Sequence, residues 1–217
     1  MNTGRNVYLE RLTPDNCAML LIDHQTGTML GVQDIRLDQF KSNVLALAKT
    51  AKANRLPTVL TASYPEGPNG PLMPELLAMF PSSEVINRPG PISAFDDPRF
   101  VEAVKRTGRK KLIMAGVTSD VCLMFPVQQA LALGYEVYAV YDASGCWDTV
   151  SEMVSILRLS QMGAVVCNWV AVCADLQADW RNAPERTLPI FAEHLPFYGM
   201  LANNQSFTRV QAGTKSS

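Results

Sequence analysis

Lys111-Leu-Ile-Met-Ala-Gly-Val-Thr-Ser-Asp-Val-Cys122-Leu-Met-Phe125 is the stretch on which the fold turns. Leu112, Ile113 and Met114 form an apolar run that stops at Gly116. Polar Thr118, Ser119 and Asp120 follow, and Cys122 opens a new apolar, alanine-rich segment. That order spells a buried strand, a tight turn and the start of a helix. Pro126 sits where a first helical turn tolerates it, so the helix begins near Asp120 or Val121, and Gly134 stops it. A cysteine at such a start meets the positive end of the peptide dipoles, which favours thiolate over thiol. The unpaired N–H groups there suit a developing oxyanion. Free cysteine is also among the most buried and inert residue types, so placement alone does not make a nucleophile.

The same strand-turn-helix unit recurs on either side. Residues 17–22 are continuously apolar, as a central parallel strand is, and end at Asp23, His24 and Gln25. Residues 57–62 read as the second strand. The loop from Tyr64 to Leu72 carries three prolines and two glycines, not spaced as a phosphate-binding loop. Residues 84–87 form a short third strand into Arg88-Pro-Gly-Pro91, the proline biasing Arg88 to extended backbone. Residues 136–141 and 164–167 complete the strands. Helical spacing occupies 40–54, 74–80, 96–107, 149–162 and 172–180, alternating with the strands. Alternation of this kind predicts one α/β domain over 1–217, with a parallel sheet covered by helices on both faces. Its core spans about 11–185. From Arg186 to 217 the chain reads as a less regular apolar tail, expected at a subunit interface, the alternative being packing on its own domain.

Asp23, Arg88 and Cys122 all fall at C-terminal ends of strands or just after, the edge where open α/β sheets bind ligands. Each has an ordinary alternative: aspartate caps helices and turns, and arginine is usually solvated. Only two histidines exist, His24 and His194, which makes a histidine-based triad or a zinc site hard to build; a carboxylate is the expected base.

Bulk properties narrow the classes. The 217 residues are 47% hydrophobic and 18% charged, with net charge −1, so no basic stripe marks nucleic acid and no polybasic patch marks a membrane. Residues 1–16 are too polar for a signal peptide. The five cysteines, Cys17, Cys122, Cys146, Cys167 and Cys173, contain no Cys-x-x-Cys pair, pointing to free thiols in a reducing, cytoplasmic setting.

Asp23 in Ile-Asp-His-Gln, Arg88 in Asn-Arg-Pro-Gly and Cys122 in Ala-Gly-Val-Thr-Ser-Asp-Val-Cys together resemble the isochorismatase-like cysteine hydrolases. Gly67-Pro-Asn-Gly-Pro-Leu72, Asp142-Ala-Ser-Gly145 and Asp179-Trp-Arg-Asn182 narrow the resemblance to the YcaC-like branch. The resemblance implies a six-stranded parallel sheet and a catalytic Asp–Lys–Cys triad, carried here by Asp23, Arg88 and Cys122. Arginine replaces the commoner lysine, as in the branch, and cannot share a proton as lysine can. The resemblance further implies a cis peptide at Val117–Thr118 and an oxyanion hole of the Thr118 and Cys122 N–H groups. The family's nicotinamidases hold a metal in the loop after the second strand. Here that loop has neither histidine nor aspartate, so no metal and no cofactor is expected. Isochorismatases proper lack the cysteine, which argues against isochorismate as substrate.

The expected activity is hydrolysis of a small amide, imide or carbamoyl-type C–N bond through a thioester. Gln25, Tyr64, Phe95, Phe125 and Trp147 are candidate substrate contacts, with Gln25 also a candidate for orienting the pair. The expected partners are a small-molecule substrate and further copies of the chain, an octamer by resemblance. Two rivals remain: a silent scaffold on the same fold, and a thiol redox sensor pairing Cys122 with Cys146.

Overall fold

The computed structural model describes the backbone of residues 10–214 and the side chains of residues 10–205. Residues 1–9 and 215–217, counted above in the single domain, lie outside the described residues. Six strands form one parallel sheet: β1 Cys17–Ile22, β2 Thr58–Ser63, β3 Val85–Arg88, β4 Lys111–Gly116, β5 Glu136–Val140 and β6 Val165–Cys167. Their order is β3-β2-β1-β4-β5-β6, which seats the two wholly buried strands, β1 and β4, side by side at the centre. The unbroken apolar runs of those strands follow from burial on both faces.

Among the described residues, eight α-helices connect the strands or follow them: α1 Leu37–Ala53, α2 Pro74–Met79, α3 Pro98–Arg106, α4 Met124–Ala132, α5 Thr149–Gln161, α6 Trp169–Gln177, α7 Leu188–His194 and α8 Pro196–Thr214. Phe40, Val44 and Leu47 of α1 share one core with Val172 and Leu176 of α6 and Ile190 and Phe191 of α7. Phe100 and Val104 of α3, Val127 and Ala130 of α4 and Leu159 of α5 form the other, so helices cover both faces. Caps set the starts: Asp97 accepts from the Arg99 N–H at 2.9 Å, and Asp148 accepts from those of Val150 and Ser151 at 2.9 Å.

The structure differs from expectation near the C-terminus. The last core helix begins at Trp169, because Asn168 caps it by accepting from the Ala171 N–H at 2.8 Å, and ends before Ala178, whose φ is +57°. The tail expected to be irregular forms α7 and α8. Pro189 and Pro196 stand in the first turns of these helices, where a missing N–H costs nothing. The first of them packs on its own domain rather than waiting for a neighbour. Ile190 and Phe191 are buried, and Ser42 and Lys49 of α1 bond to His194 at 2.8 and 3.1 Å. Among the described residues, no helix is long and apolar enough to cross a membrane.

Candidate active site

Strand ends bring the site together. Ile22 pairs in register with Thr61 and with Gly116, and Ser63 pairs with Arg88. The residues just beyond β1, β2 and β4 therefore share one edge. Asp23 follows Ile22 with φ +58°, and Tyr64 follows Ser63 with φ +45°. Non-glycine residues in the left-handed region cost on the order of 1–3 kcal/mol and persist where surrounding structure holds them. Here the Asp23 N–H donates to the Thr61 carbonyl at 2.9 Å and the Tyr64 N–H to the Arg88 carbonyl at 2.8 Å.

Asp23 and Arg88 are completely buried and face each other in a two-armed ion pair. Arg88 Nη1 donates to Asp23 Oδ1 at 3.1 Å, and Nη2 donates to Oδ2 at 2.8 Å. Nη1 also donates to Thr61 Oγ1 at 3.2 Å, and that hydroxyl donates on to the Ile86 carbonyl at 2.7 Å. Thr61 thus positions the guanidinium. Sequence reading passed over it because a threonine inside a strand carries no signal until β2 and β3 are paired.

Cys122 completes the cluster: its sulfur lies near enough to the Asp23 carboxylate for the two groups to shift each other's proton affinity. It lies in a single widened helical turn, Ser119–Leu123, in which the Leu123 N–H reaches the Thr118 carbonyl at 3.1 Å. Widened turns of this kind concentrate at functional sites. Gly116 allows the close approach: a Cβ there would stand 2.8 Å from the Cys122 carbonyl oxygen. The Val117–Thr118 peptide is cis, and the Thr118 backbone N–H lies near the Cys122 sulfur, where it favours the thiolate. Thr118 Oγ1 donates to Asp120 Oδ1 at 2.6 Å, and the Ser119 N–H donates to the Gly145 carbonyl at 2.9 Å, pinning the turn to the loop after β5.

The electrostatics differ from the helix-dipole expectation. Burial first, then the charge of Asp23 and the bond to it, push the Cys122 thiol well above its ordinary range; Arg88 and the Thr118 N–H pull down without reversing this. α4 proper starts only at Met124, two residues further on, so the dipole does not decide the outcome. Burial also raises Asp23, opposed by Arg88, the sulfur and the Ser63 N–H. The resting pair is a protonated thiol against a carboxylate whose proton affinity is increased. Chemically, such a pair can pass a proton from sulfur to oxygen as the sulfur attacks.

The other candidates divide. Tyr64, Phe125 and Trp147 are partly exposed, and Phe125 lines a cleft of about 360 Å³ with Asp120, Met124, Val150 and Val154. Trp147 covers Gly31, where a Cβ would stand 2.5 Å from its ring. Phe95 is nearly buried, its ring edge-on to Phe100 at 5.2 Å, and serves packing. Gln25 is wholly buried and its amide is spent: Nε2 donates to the Ser63 carbonyl at 3.0 Å and to the Gly70 carbonyl at 2.5 Å, and Oε1 accepts from the Ser63 N–H at 2.8 Å. It braces the β2 loop against β1 and leaves nothing free for a substrate. His24, also buried, bonds the Ala143 carbonyl through Nε2 at 2.8 Å, while its Nδ1 has no partner. Among the described residues, no group of three or more His, Cys, Asp or Glu is placed to hold a metal.

Known proteins share this arrangement of elements. The model of the isochorismatase domain matches residues 17–171. The chain is 48% identical to the probable hydrolase YcaC of Escherichia coli, over 87% of this chain and 90% of that protein. The crystal structure of the E. coli YcaC gene product, described as an octameric hydrolase of unknown specificity, superimposes with a TM-score of 0.90 at 45% identity, covering 91% of this chain and 97% of that one. YcaC from Pseudomonas aeruginosa, solved with hexane-2,5-diol and covalent acrylamide, gives 0.89 at 47% identity, covering 92% and 98%. With that match across most of its length and the same six-stranded α/β fold, the chain belongs to the isochorismatase family, in its YcaC-like branch.

Proposed function

We propose that this chain is a cysteine-dependent hydrolase of a small amide, imide or carbamoyl-type C–N bond. The observation that carries the reading is the Cys122 thiol set beside, and coupled to, an Asp23 carboxylate that Arg88 grips through two arms in full burial. Similarity to a probable hydrolase supports the broader assignment. The covalent acrylamide in P. aeruginosa YcaC shows that protein reacting with an electrophile, as a thiol nucleophile does.

In this reading Asp23 takes the Cys122 proton as sulfur attacks the substrate carbonyl. The oxyanion is held by the N–H groups of Thr118 and Cys122. Asp23 then gives the proton to the leaving nitrogen, the C–N bond breaks, and a thioester remains. Asp23 next takes a proton from water, whose hydroxyl releases the acid and restores the thiol. Arg88 stays paired throughout and keeps the site's total charge tolerable in burial. Tyr64, Phe125 and Trp147 are the substrate contacts in this reading. The chain acts as a homo-oligomer, after the octamer of its E. coli relative. Five free cysteines suit a reducing, cytoplasmic setting.

The test is a panel of small amides, imides and carbamoyl compounds, comparing the protein with Cys122→Ala, and intact mass after rapid quench. The reading expects turnover lost with the sulfur and a transient acyl adduct on Cys122. Equal turnover in both proteins would sink it. The redox rival lacks an accessible resolving thiol, since Cys146 is fully buried.

A further inference from the structure

The segment after β5 is bonded to the turn that carries Cys122. Ser144 Oγ accepts from the Gly116 N–H at 3.3 Å, and the Gly145 carbonyl accepts from the Ser119 N–H at 2.9 Å. The chain is thus tied to this segment on either side of residues 117 and 118. The Gly145 carbonyl and the Cys146 N–H belong to one planar peptide unit, so whatever fixes the N–H also aims the carbonyl. Asp34, part-buried in the loop after β1, fixes that N–H: its Oδ1 accepts from it at 2.7 Å. A backbone N–H held by a carboxylate makes a charge-assisted bond, stronger than a neutral one. The surroundings of Asp34 keep the two loops in register. The Gln33 N–H donates to the Cys146 carbonyl at 2.9 Å, and Gly145, whose φ is +62°, lets Val32 approach so closely that a Cβ there would stand 2.7 Å from it.

We propose that Asp34 is a positioning residue for Cys122: through the Gly145–Cys146 peptide it aims the carbonyl that holds the Ser119 N–H, and with it the turn that sets the sulfur beside Asp23. The inference rests on the reading of Cys122 as nucleophile and extends the site to a carboxylate that acts through a peptide rather than on a reacting atom. The turn needs such support. Regular helix begins only at Met124, so Ser119–Leu123 is one widened turn without a second turn behind it to stiffen it. Attack by sulfur is sensitive to alignment, and a misplacement of about 1 Å caused by a distant substitution costs about 10²-fold. Alignment of the nucleophile therefore comes from the loops after β1 and β5, with Asp34 as the charged group that joins them.

The experiment uses the full chain and three variants, Asp34→Ala, Asp34→Asn and Asn168→Ala, with circular dichroism checking that the fold is kept. Asn168→Ala removes the cap of α6, a bond of 2.8 Å to the Ala171 N–H, and tests for lost stability alone. Iodoacetamide with peptide mapping reads Cys122 alkylation against pH, and any accepted amide gives kcat and KM. In Asp34→Ala the alkylation profile is expected to move to lower pH, with the rate at neutrality up by about threefold or more, because burial and the Asp23 charge both weaken as the turn loosens. Its kcat is expected to fall roughly 10- to 100-fold with KM within about threefold. Asp34→Asn, whose amide oxygen can accept the same bond, is expected to match the wild type in both. An Asp34→Ala profile that stays at the wild-type position, an asparagine variant that behaves as the alanine one, or an equal shift in Asn168→Ala overturns the inference. Should Asp34→Ala misfold, Asp34→Glu, which displaces the carboxylate by one methylene, is read in its place: a profile moved the same way is expected, and an unmoved one overturns the inference. Profiles that move as expected while no protein turns over any amide sink the hydrolase reading and leave the role of Asp34 at the sulfur standing.

Discussion

Two buried cations sit on this sheet, one at each end. Lys111 opens β4 at the N-terminal edge and is 1% exposed; Arg88 closes β3 at the C-terminal edge and is wholly buried. Lys111 Nζ donates to the Glu10 carbonyl at 3.1 Å and to Tyr138 Oη at 3.2 Å, with the Glu136 carboxylate at 3.4 Å. Burial opposes its charge, but these partners outweigh that and raise its pKa. Its partners are a carbonyl, a phenol and part-exposed carboxylates, all at the sheet edge opposite Cys122. Arg88 holds a single carboxylate, and that carboxylate holds a thiol. A buried cation therefore marks a site only when its counter-ion has other work. The lesson bears on reading any sheet of this kind: the edge matters less than what the partner touches next.

The sharpest way to break the comparison is to remove each end in turn. Cys122→Ala is expected to lower hydrolysis of any accepted substrate by at least ~10³-fold, and Asp23→Asn by on the order of 10²–10⁴-fold, measured as kcat/KM. Lys111→Met is expected to leave kcat/KM within about twofold. Loss of activity in that variant at unchanged melting temperature would erase the distinction between the two ends.

Asp23→Asn also separates the thiol's protonation from its use. The charge and bond of Asp23 hold the Cys122 thiol up, while Arg88 draws it down. Removing the carboxylate is expected to move the pH profile of Cys122 alkylation to lower pH, so the thiol alkylates faster near neutrality while hydrolysis falls. A profile that moves up or stays still would contradict the geometry. Unpairing a buried guanidinium costs about 3–5 kcal/mol, so the variant is compared below its own melting point.

His24 sharpens the comparison on the stability side. Burial lowers it from 6.5 to about 4, so the unfolded chain binds its proton first as pH falls. Its neutral burial contributes full stability above pH 6.5, lost progressively as pH drops towards about 4, about 3 kcal/mol in all. Denaturant titrations from pH 7 to 4 are expected to show that loss, and His24→Gln to flatten it. The smallest effect belongs to Lys111→Met. Its neighbours Glu10 and Glu136 are part-exposed and can rehydrate, so the expected cost is about 1–2 kcal/mol, or a few degrees of melting temperature.

Much of this molecule is legible in its sequence, and the reasons are local. Short unbroken apolar runs bounded by turn residues read as strands buried on both faces, so residues 17–22 and 112–115 place themselves at the sheet centre, and polar Asp23 and Thr118 mark where each run meets the ligand edge. Helices after each strand force parallel pairing, which brings Asp23, Arg88 and Cys122 to one edge whatever the loops do. The family motifs lie on those same positions.

What only the tertiary structure decided depends on pairs distant along the chain. Thr61 positions Arg88 because β2 and β3 set them side by side, and Gln25 is a brace because the β2 loop folds onto its amide. The raised Cys122 thiol reverses a reading from the helix dipole, since desolvation and a carboxylate 99 residues away outweigh a local effect. Pro189 and Pro196 begin helices because those helices find α1, or one another, to pack on. Local pattern determines which segments are strands and helices; the free energy of each polar group is set by what surrounds it, and that is known only once the chain has closed.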